Sequence, residues 1–174
     1  MIPFPNKKYD VIYADPPWEV RRGPVWGKGG PSLLLPYKTM KLEDIMAMNV
    51  RSISARNAVL FMWVINKYIE DAYDIARAWG FEPSCLLTWC KPQHGLGIGG
   101  TFVQTTEHIL FCRSGNLKLN GRVDRTWFEH GRLSHSTKPD MFRKMIERLT
   151  PEMSRIELFA RGHFEGWDVW GDEV

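Results

Sequence analysis

Five short apolar runs, separated by helical patterns, constrain the fold of this chain more than any other feature of its sequence. The runs are rich in β-branched and aromatic residues, and most lack the polar alternation of a half-exposed strand. They cover residues 11–14, 59–64, 85–89, 108–112 and 156–159. Unbroken apolar runs of this length are typical of strands covered on both faces, so we expect a mainly parallel sheet.

Three amphipathic patterns lie between these runs and predict helices. The first has Leu42, Ile45, Met46 and Met48 at helical spacing, and the second has Ile69, Ala72, Tyr73, Ala76 and Trp79 on one face before Gly80. The third covers residues 140–149, where Pro139 suits the first turn and Arg143, Lys144, Glu147 and Arg148 are expected to face water. Alternating strands and helices predict an α/β domain whose ligands bind beyond the carboxyl ends of the strands.

Length and composition favour one domain. A chain of 174 residues with 44% hydrophobic content can bury one sizeable core, so we expect a single domain over residues 1–174 with no separate target-recognition domain. The net charge of +3 permits a polyanionic partner without requiring one. No apolar stretch is long enough to span a membrane and no signal peptide is recognisable, which predicts a cytoplasmic protein. Three cysteines without Cys-x-x-Cys spacing suggest neither a disulfide framework nor a metal site.

The first apolar run is followed by Asp15, Pro16, Pro17 and Trp18, and each residue has a use if the substrate is an exocyclic amine of a base. The lone pair of such an amine is delocalised into the ring, so acceptors that grip its N–H groups make it a better nucleophile. The Asp15 carboxylate and the Pro16 carbonyl, held rigidly by consecutive prolines, supply two acceptors, and Trp18 can stack on a flipped base. Transfer of a methyl group from a sulfonium releases a neutral leaving group, so positioning does most of the work.

The same four residues have a structural interpretation. Asp-Pro after a strand is an ordinary turn signal, and a neighbouring tryptophan commonly belongs to the core. Their position at the carboxyl end of an apolar strand favours the functional interpretation.

At this point the sequence resembles the MT-A70 family of adenine-N6 methyltransferases. The blocks that carry the resemblance occur in the family's order: YADPPW at 13–18, LPYKTM at 35–40, LFMWV at 60–64, TWCK at 88–91, SHSTKPD at 134–140, IERL at 146–149, IELFAR at 156–161, GW at 166–167 and WG at 170–171. The resemblance implies S-adenosylmethionine as cofactor. It also implies a Rossmann-like class I methyltransferase fold in which the catalytic motif precedes the cofactor motif.

Carried over by position, the resemblance assigns roles to individual residues. Asp15, Pro16, Pro17 and Trp18 become the catalytic motif, with Asp15 also near the amino group of the cofactor's methionine moiety. Lys138 meets the cofactor carboxylate, and Tyr37 lies on a gating loop beside the substrate. The implied cofactor pocket is completed by Glu157, Phe159, Arg161 and His163, with Asp172 and Glu173 near the ribose.

Structural interpretations stay open for several of these residues. Lys138 could be a solvated residue at a helix entrance, and Arg161 and His163 could cap the sheet. Glu157 lies inside an apolar strand, and because a buried carboxylate needs a partner, a role in the site is favoured. Phe164 stands where the family often has Asn, and Asp172 and Glu173 replace an amide pair.

Candidate substrate contacts lie in loops that flank the proposed site. A glycine-rich stretch at 95–100 is interpreted as a flexible loop rather than a dinucleotide fingerprint. Lys91 before it and Glu107 after it are expected to bracket the substrate cleft. The basic candidates for phosphate contacts are Arg21, Arg22 and Lys28 in one loop and Arg122 and Arg125 in another. Scattered solvated charge is the alternative for both groups.

These observations predict a methyltransferase that acts on the N6 amino group of adenine in DNA rather than RNA, because the compact form resembles bacterial and phage members of the family. Substrate choice would then come from the long loops, from a second copy of the chain in a homodimer, or be loose. Two alternatives stay open: a non-catalytic subunit that binds nucleic acid or acts as a scaffold, and a methyltransferase for small amines.

Overall fold

The computed structural model describes residues 2–19, 38–92, 101–131 and 137–174. Its centre is a seven-stranded sheet with the order β5-β3-β4-β2-β1-β6-β7. The strands are β1 (Tyr9–Ala14), β2 (Ser54–Val64), β3 (Glu82–Cys90), β4 (Thr106–Ser114), β5 (Trp127–Glu129), β6 (Arg155–Leu158) and β7 (Asp168–Trp170). Neighbouring strands are parallel except that β4 is antiparallel to both β2 and β3. The prediction of an α/β domain with a mainly parallel sheet is confirmed.

All five apolar runs lie in strands, with one correction at the end of the last run. The strand β6 ends at Leu158, whereas the sequence pattern extended it to Phe159. Phe159 has a φ of 60°, which is left-handed backbone and cannot continue a strand. The short strands β5 and β7 were not predicted, because three residues are too few to show a periodic pattern.

The three predicted helices are present as α1 (Leu42–Met46), α2 (Ile69–Ala78) and α3 (Asp140–Leu149). The helix α1 ends before Met48, which nevertheless lies in the core. Pro139 has extended backbone and directly precedes α3, so it lies one position outside the first turn in which it was expected.

Side chains alternate along the sheet and divide the core between its two faces. On β1, Ile12 and Ala14 pack with residues of α1 and α2, whereas Val11 and Tyr13 pack with residues of α3. The result is a three-layer arrangement in which the carboxyl ends of β1, β2 and β6 meet at one edge of the sheet. In the described part of the chain, no helix is long and apolar enough to cross a membrane.

Candidate active site

The tetrapeptide predicted to be catalytic begins directly beyond the carboxyl end of β1. The backbone N–H of Asp15 donates to the carbonyl of Leu158 at 3.4 Å, which fixes the turn against the end of β6. The Pro16 carbonyl accepts from the N–H of Trp18 at 2.8 Å, and the Pro17 carbonyl accepts from Met40 at 2.9 Å. A carbonyl oxygen has two lone pairs, so the Pro16 carbonyl keeps the capacity to accept a substrate N–H.

Trp18 is buried rather than presented to a ligand. The residue is only 5% exposed. Its ring stacks on Tyr68 with centroids 5.3 Å apart, and its indole N–H donates to the carbonyl of Trp63 at 3.1 Å. The expectation that Trp18 offers an open face to a flipped base does not agree with this packing. Its place in the structure is to anchor the Asp15–Pro17 turn against the end of β2.

Lys138 lies opposite Asp15, although 123 positions separate the two residues in the sequence. Its Nζ donates to both carboxylate oxygens of Asp15, at 2.9 and 2.8 Å, and lies 3.5 Å from Oε2 of Glu107. Burial lowers the pKa of Lys138, but Asp15 and Glu107 outweigh burial and leave the pKa above its ordinary value. The ammonium is therefore charged across the physiological pH range, and the alternative interpretation, in which Lys138 is only a solvated residue at a helix entrance, does not agree with these contacts.

Glu107 extends this ion-pair network towards β3. Its carboxylate is paired with both Lys138 and Lys91, and the Lys91 ammonium lies 4.4 Å from the centroid of the Trp89 ring. Burial raises the pKa of Glu107, but the two lysines reverse this effect and hold its pKa below the ordinary value. Lys91 and Glu107, which were expected to bracket a cleft, thus contact each other directly at the edge of the sheet that carries Asp15.

The segments after β6 and β7 lie side by side next to this network. The N–H of Ala160 donates to the carbonyl of Trp170 at 3.1 Å, and a Cβ at Gly171 would lie 3.0 Å from the backbone N and O of Ala160. Any side chain at position 171 would crowd these backbone atoms, so glycine suits the close approach, which brings Glu173 near Arg161. The Arg161 Nε lies 3.9 Å from the Glu173 carboxylate, and the ring of Phe159 packs edge-on against Trp170.

Glu157 has an internal partner that the sequence did not reveal. It is 9% exposed, points to the α3 side of the sheet and is paired with the Arg143 guanidinium. Burial raises the pKa of Glu157, and Arg143 offsets only part of the increase. Because Arg143 satisfies this carboxylate, the argument that a missing partner favours a role in ligand binding does not hold.

Arg143 itself was expected to face water and instead is mostly covered. Its side chain is 13% exposed, and its guanidinium carbon lies 3.4 Å from the centroid of Phe164. Glu147, also expected to face water, accepts a hydrogen bond from the Trp167 indole at 2.8 Å. The two side chains lie on the flank of α3 that faces the segment after β6, and the helical stripe alone does not indicate such a neighbour.

With this geometry established, comparison with known proteins identifies the family. The MT-A70 family model matches residues 9–173. The chain belongs to the MT-A70 family. Members of this family are S-adenosylmethionine-dependent adenine-N6 methyltransferases, and the chain is a methyltransferase of this class.

Two groups of relatives differ in how much of their length the chain matches. The Type II methyltransferase M.MunI of Mycoplasma sp is 32% identical over 188 aligned residues, which cover 98% of this chain and 80% of the relative. The human N(6)-adenosine-methyltransferase catalytic subunit METTL3 is 30% identical over 96% of this chain but only 28% of the relative, and the MT-A70-like protein of Arabidopsis thaliana is 28% identical over 24% of its length. The chain thus spans about a quarter of the length of these N(6)-adenosine-methyltransferases.

The donors and acceptors of this MT-A70 site fit the implied cofactor. S-adenosylmethionine carries an amino group and a carboxylate at one end and ribose hydroxyls nearer the other, so it needs acceptors and a cation. Asp15 and Lys138 supply one of each at the end of β1, with side chains 22% and 20% exposed, and Asp172 and Glu173 supply exposed carboxylates beyond β7. Arg161 and His163 are exposed after β6, on the same edge of the sheet.

The structure tests only part of the predicted substrate surface. Arg21, Arg22, Lys28 and Tyr37 lie outside the described residues. Arg122 is exposed and forms an ion pair with Asp124 at 3.2 Å, whereas the Arg125 guanidinium lies 5.6 Å from the centroid of the Trp127 ring. Trp127 did not enter the sequence prediction, since a tryptophan within a short apolar stretch is commonly a core residue.

Proposed function

We propose that this chain is an adenine-N6 DNA methyltransferase built as a single domain. The observation that carries the proposal is the contact between Asp15 and Lys138 at the carboxyl end of β1, beside the segments that follow β6 and β7. That position is where ligands bind in open α/β sheets. The match to the MT-A70 model supports the reaction class.

The chain's own residues supply orientation and hydrogen bonding in this reaction. A bound S-adenosylmethionine supplies an electrophilic methyl group on a sulfonium. The Asp15 carboxylate accepts hydrogen bonds from Lys138, and because a carboxylate has about four lone-pair sites, it can also accept an adenine N6–H. The Pro16 carbonyl accepts the second N–H. With both N–H groups held, the N6 lone pair would be directed at the methyl group that a cofactor held by Asp15 and Lys138 would supply, and the proton that N6 loses on methylation would pass to water.

Separate observations support DNA as the substrate and the cytoplasm as the location. For DNA, the support is the Type II methyltransferase M.MunI, which is 32% identical over 98% of this chain. For the cytoplasm, the support is the state of the cysteines. Cys85, Cys90 and Cys112 are free thiols, a state that reducing compartments maintain.

The proposal is tested by incubating the protein with labelled S-adenosylmethionine and oligonucleotides of matched sequence. DNA and RNA, each in single- and double-stranded form, are digested afterwards and searched for N6-methyladenine. We expect product from DNA, and none from a control in which hypoxanthine, which lacks the 6-amino group, replaces adenine. Product from RNA alone would refute the DNA assignment, and no product from either nucleic acid would refute the catalytic proposal.

A cofactor titration separates the enzyme from a non-catalytic subunit. The proposal requires S-adenosylmethionine to bind with one site per chain in calorimetry, and Lys138→Met to weaken binding because it removes the cation expected to meet the cofactor carboxylate. Lys144→Met is the matched control, since Lys144 lies exposed on α3, where it pairs with Asp140 at 2.9 Å. A folded protein that does not bind the cofactor would have the properties of a scaffold subunit.

A further inference from the structure

Trp127 differs from the other tryptophans that the structure describes. Six of these, at positions 18, 63, 79, 89, 167 and 170, are at most 8% exposed, whereas Trp127 is 51% exposed. The next residue, Phe128, is buried against α3, so β5 is anchored through Phe128 and presents Trp127 to solvent. The core does not require a large exposed ring at this position, and a tryptophan is a costly residue to leave in water.

The strand register places Trp127 level with the catalytic motif. Trp127 pairs with Thr88, Thr88 pairs with His108, and His108 pairs with Val64. On β2, Val64 lies two residues beyond Met62, which pairs with Ala14 of β1. Trp127 and the Asp15–Pro16 turn therefore lie at the same edge of the sheet. Four strand-to-strand steps separate β5 from β1, which corresponds to about 19 Å at about 4.8 Å per step.

The charge around Trp127 complements a polyanion. The Arg125 guanidinium lies 5.6 Å from the centroid of the ring, and the mostly exposed stretch from 115 to 129 contains three cations, Lys118, Arg122 and Arg125, against two carboxylates, Asp124 and Glu129. An exposed aromatic face beside arginine is the combination that binds single-stranded nucleic acid, by stacking on a base and neutralising a neighbouring phosphate.

We infer that Trp127 and Arg125 form a contact site for the nucleic-acid strand outside the catalytic pocket. An unpaired base of the substrate strand stacks on Trp127, and Arg125 binds the adjoining phosphate. At about 3.4 Å per nucleotide, the spacing of a stacked strand, a distance of about 19 Å corresponds to at most five or six nucleotides from the target adenine. This inference rests on the proposed function for its ligand, and it adds a requirement for substrate length.

The test compares two single-stranded DNA oligonucleotides that differ in length. One has twelve nucleotides with a central adenine, and the other is a trinucleotide that is too short to reach from Asp15 to Trp127. Binding is measured by fluorescence anisotropy, and KM and kcat are measured for methyl transfer. For Trp127→Ala we expect Kd and KM for the twelve-nucleotide strand to rise by about tenfold. The kcat for the twelve-nucleotide strand should not change, and neither should the Kd and KM for the trinucleotide.

Three further variants and thermal unfolding make the result specific. Trp127→Phe keeps an aromatic face and should recover most of the affinity, and Arg125→Ala should weaken binding of the longer strand and reduce its salt dependence. Arg77→Ala is the control, because Arg77 is an exposed arginine near the ring of Tyr73 at the end of α2, on the opposite edge of the sheet. Unfolding curves that coincide with the wild type's exclude a folding defect.

Several outcomes would overturn the inference. Unchanged affinity of Trp127→Ala for the twelve-nucleotide strand would do so, as would an equal loss for the trinucleotide. A change of oligomeric state on Trp127→Ala, with oligonucleotide binding intact, would assign the ring to a protein interface instead. If the wild type binds the longer strand through Trp127 but methylates neither DNA nor RNA, the proposed function fails and the contact site stands.

Discussion

Asp15 and Lys138 depend on each other, so a change at either residue has two consequences. The Asp15 carboxylate is the acceptor proposed for the adenine amine, and it is also the main counter-charge of a lysine that is only 20% exposed. Removing the negative charge of Asp15 therefore weakens its hydrogen bond to the substrate amine. It also leaves Lys138 with the Glu107 carboxylate, at 3.5 Å, as its counter-charge. A conservative substitution separates these effects from a change of shape.

We predict that Asp15→Asn lowers the single-turnover rate of methyl transfer by about 10²- to 10³-fold at saturating cofactor, the usual loss when one optimally placed charged hydrogen-bonding group is removed. Asp74→Asn is the control, because Asp74 is an exposed acid on α2 that pairs with Arg77 at 3.1 Å, away from the site. A wild-type rate in the Asp15→Asn enzyme would remove Asp15 from the mechanism.

His108 is a buried residue whose protonation state affects stability. Its ring nitrogens lie 3.1 Å from Thr88 Oγ1 and 2.6 Å from Asn66 Oδ1, an arrangement that suits a neutral ring donating to Asn66 and accepting from Thr88. Burial lowers the pKa of His108, and the opposing effect of Glu107 does not restore it. Below the ordinary pKa of 6.5, the unfolded chain therefore binds a proton that the folded protein resists.

We predict that His108 makes the protein less stable as the pH falls from about 6.5 towards the lower folded-state pKa of this residue. His108→Gln removes this titration, so its melting temperature should fall less than that of the wild type between pH 7.5 and pH 5.5. Thermal unfolding of both proteins across this range measures the difference. Parallel curves for the two proteins would contradict a depressed pKa at His108.

The residues of the site were predictable from the sequence to different degrees. A buried strand followed by Asp15 could be placed at the carboxyl edge from the pattern alone, and its partner Lys138 came only from the family resemblance, since helical spacing does not indicate contacts over 123 positions. The burial of Trp18 was not predictable, because a tryptophan after a strand has the same sequence pattern whether it packs or binds.

The ion pair between α3 and β6 stabilises the helix on the sheet at a point close to the site. Glu157 and Arg143 are both largely buried, with side chains 12% and 13% exposed. Removing one member of such a pair leaves an uncompensated charge, whereas removing both does not. The pair is therefore expected to be strongly non-additive.

We predict that Arg143→Met lowers the free energy of unfolding by about 3 kcal/mol, and that Glu157→Gln added to it recovers part of this loss. Urea unfolding of the wild type, the two single variants and the double variant measures the coupling. Lys144→Met, an exposed change on the same helix, should leave stability close to that of the wild type. Additive losses in the double variant would show that the pair makes no specific contribution.

At the level of elements, long periodic segments were predictable and short ones were not. The bounds of α3 agree with the amphipathic stripe of residues 140–149, because four apolar positions of that stripe are buried. The strands β5 and β7 have three residues each, and they are extended because they pair with β3 and β6, respectively. Arg143 was assigned to water because a helical stripe does not show that Phe164, beyond β6, covers the helix flank.

For the whole molecule, net charge limits how nucleic acid is held. The chain carries 23 Lys and Arg against 20 Asp and Glu, so its long-range attraction for a polyanion is weak. Several of the described cations are also neutralised internally, among them Lys91, Lys138 and Arg143. Fewer cations per chain are therefore left to contact phosphates, and those contacts lie on the surface, where salt screens them.

We predict weak binding with a moderate dependence on salt. If about two to four phosphates are neutralised per chain, the logarithm of the association constant should fall against the logarithm of salt concentration with a slope of about −1.5 to −3 for single strands, at about −0.7 per phosphate. Anisotropy titrations between 50 and 200 mM salt measure this slope. Arg125→Ala should reduce its magnitude by about 0.7, because one phosphate contact is lost, whereas Arg77→Ala should leave it unchanged.

A slope near zero would show that base stacking and hydrogen bonds hold the strand without phosphate contacts. A slope near −10 would require many more cations than this balance of charges leaves available, unless several copies of the chain bind together.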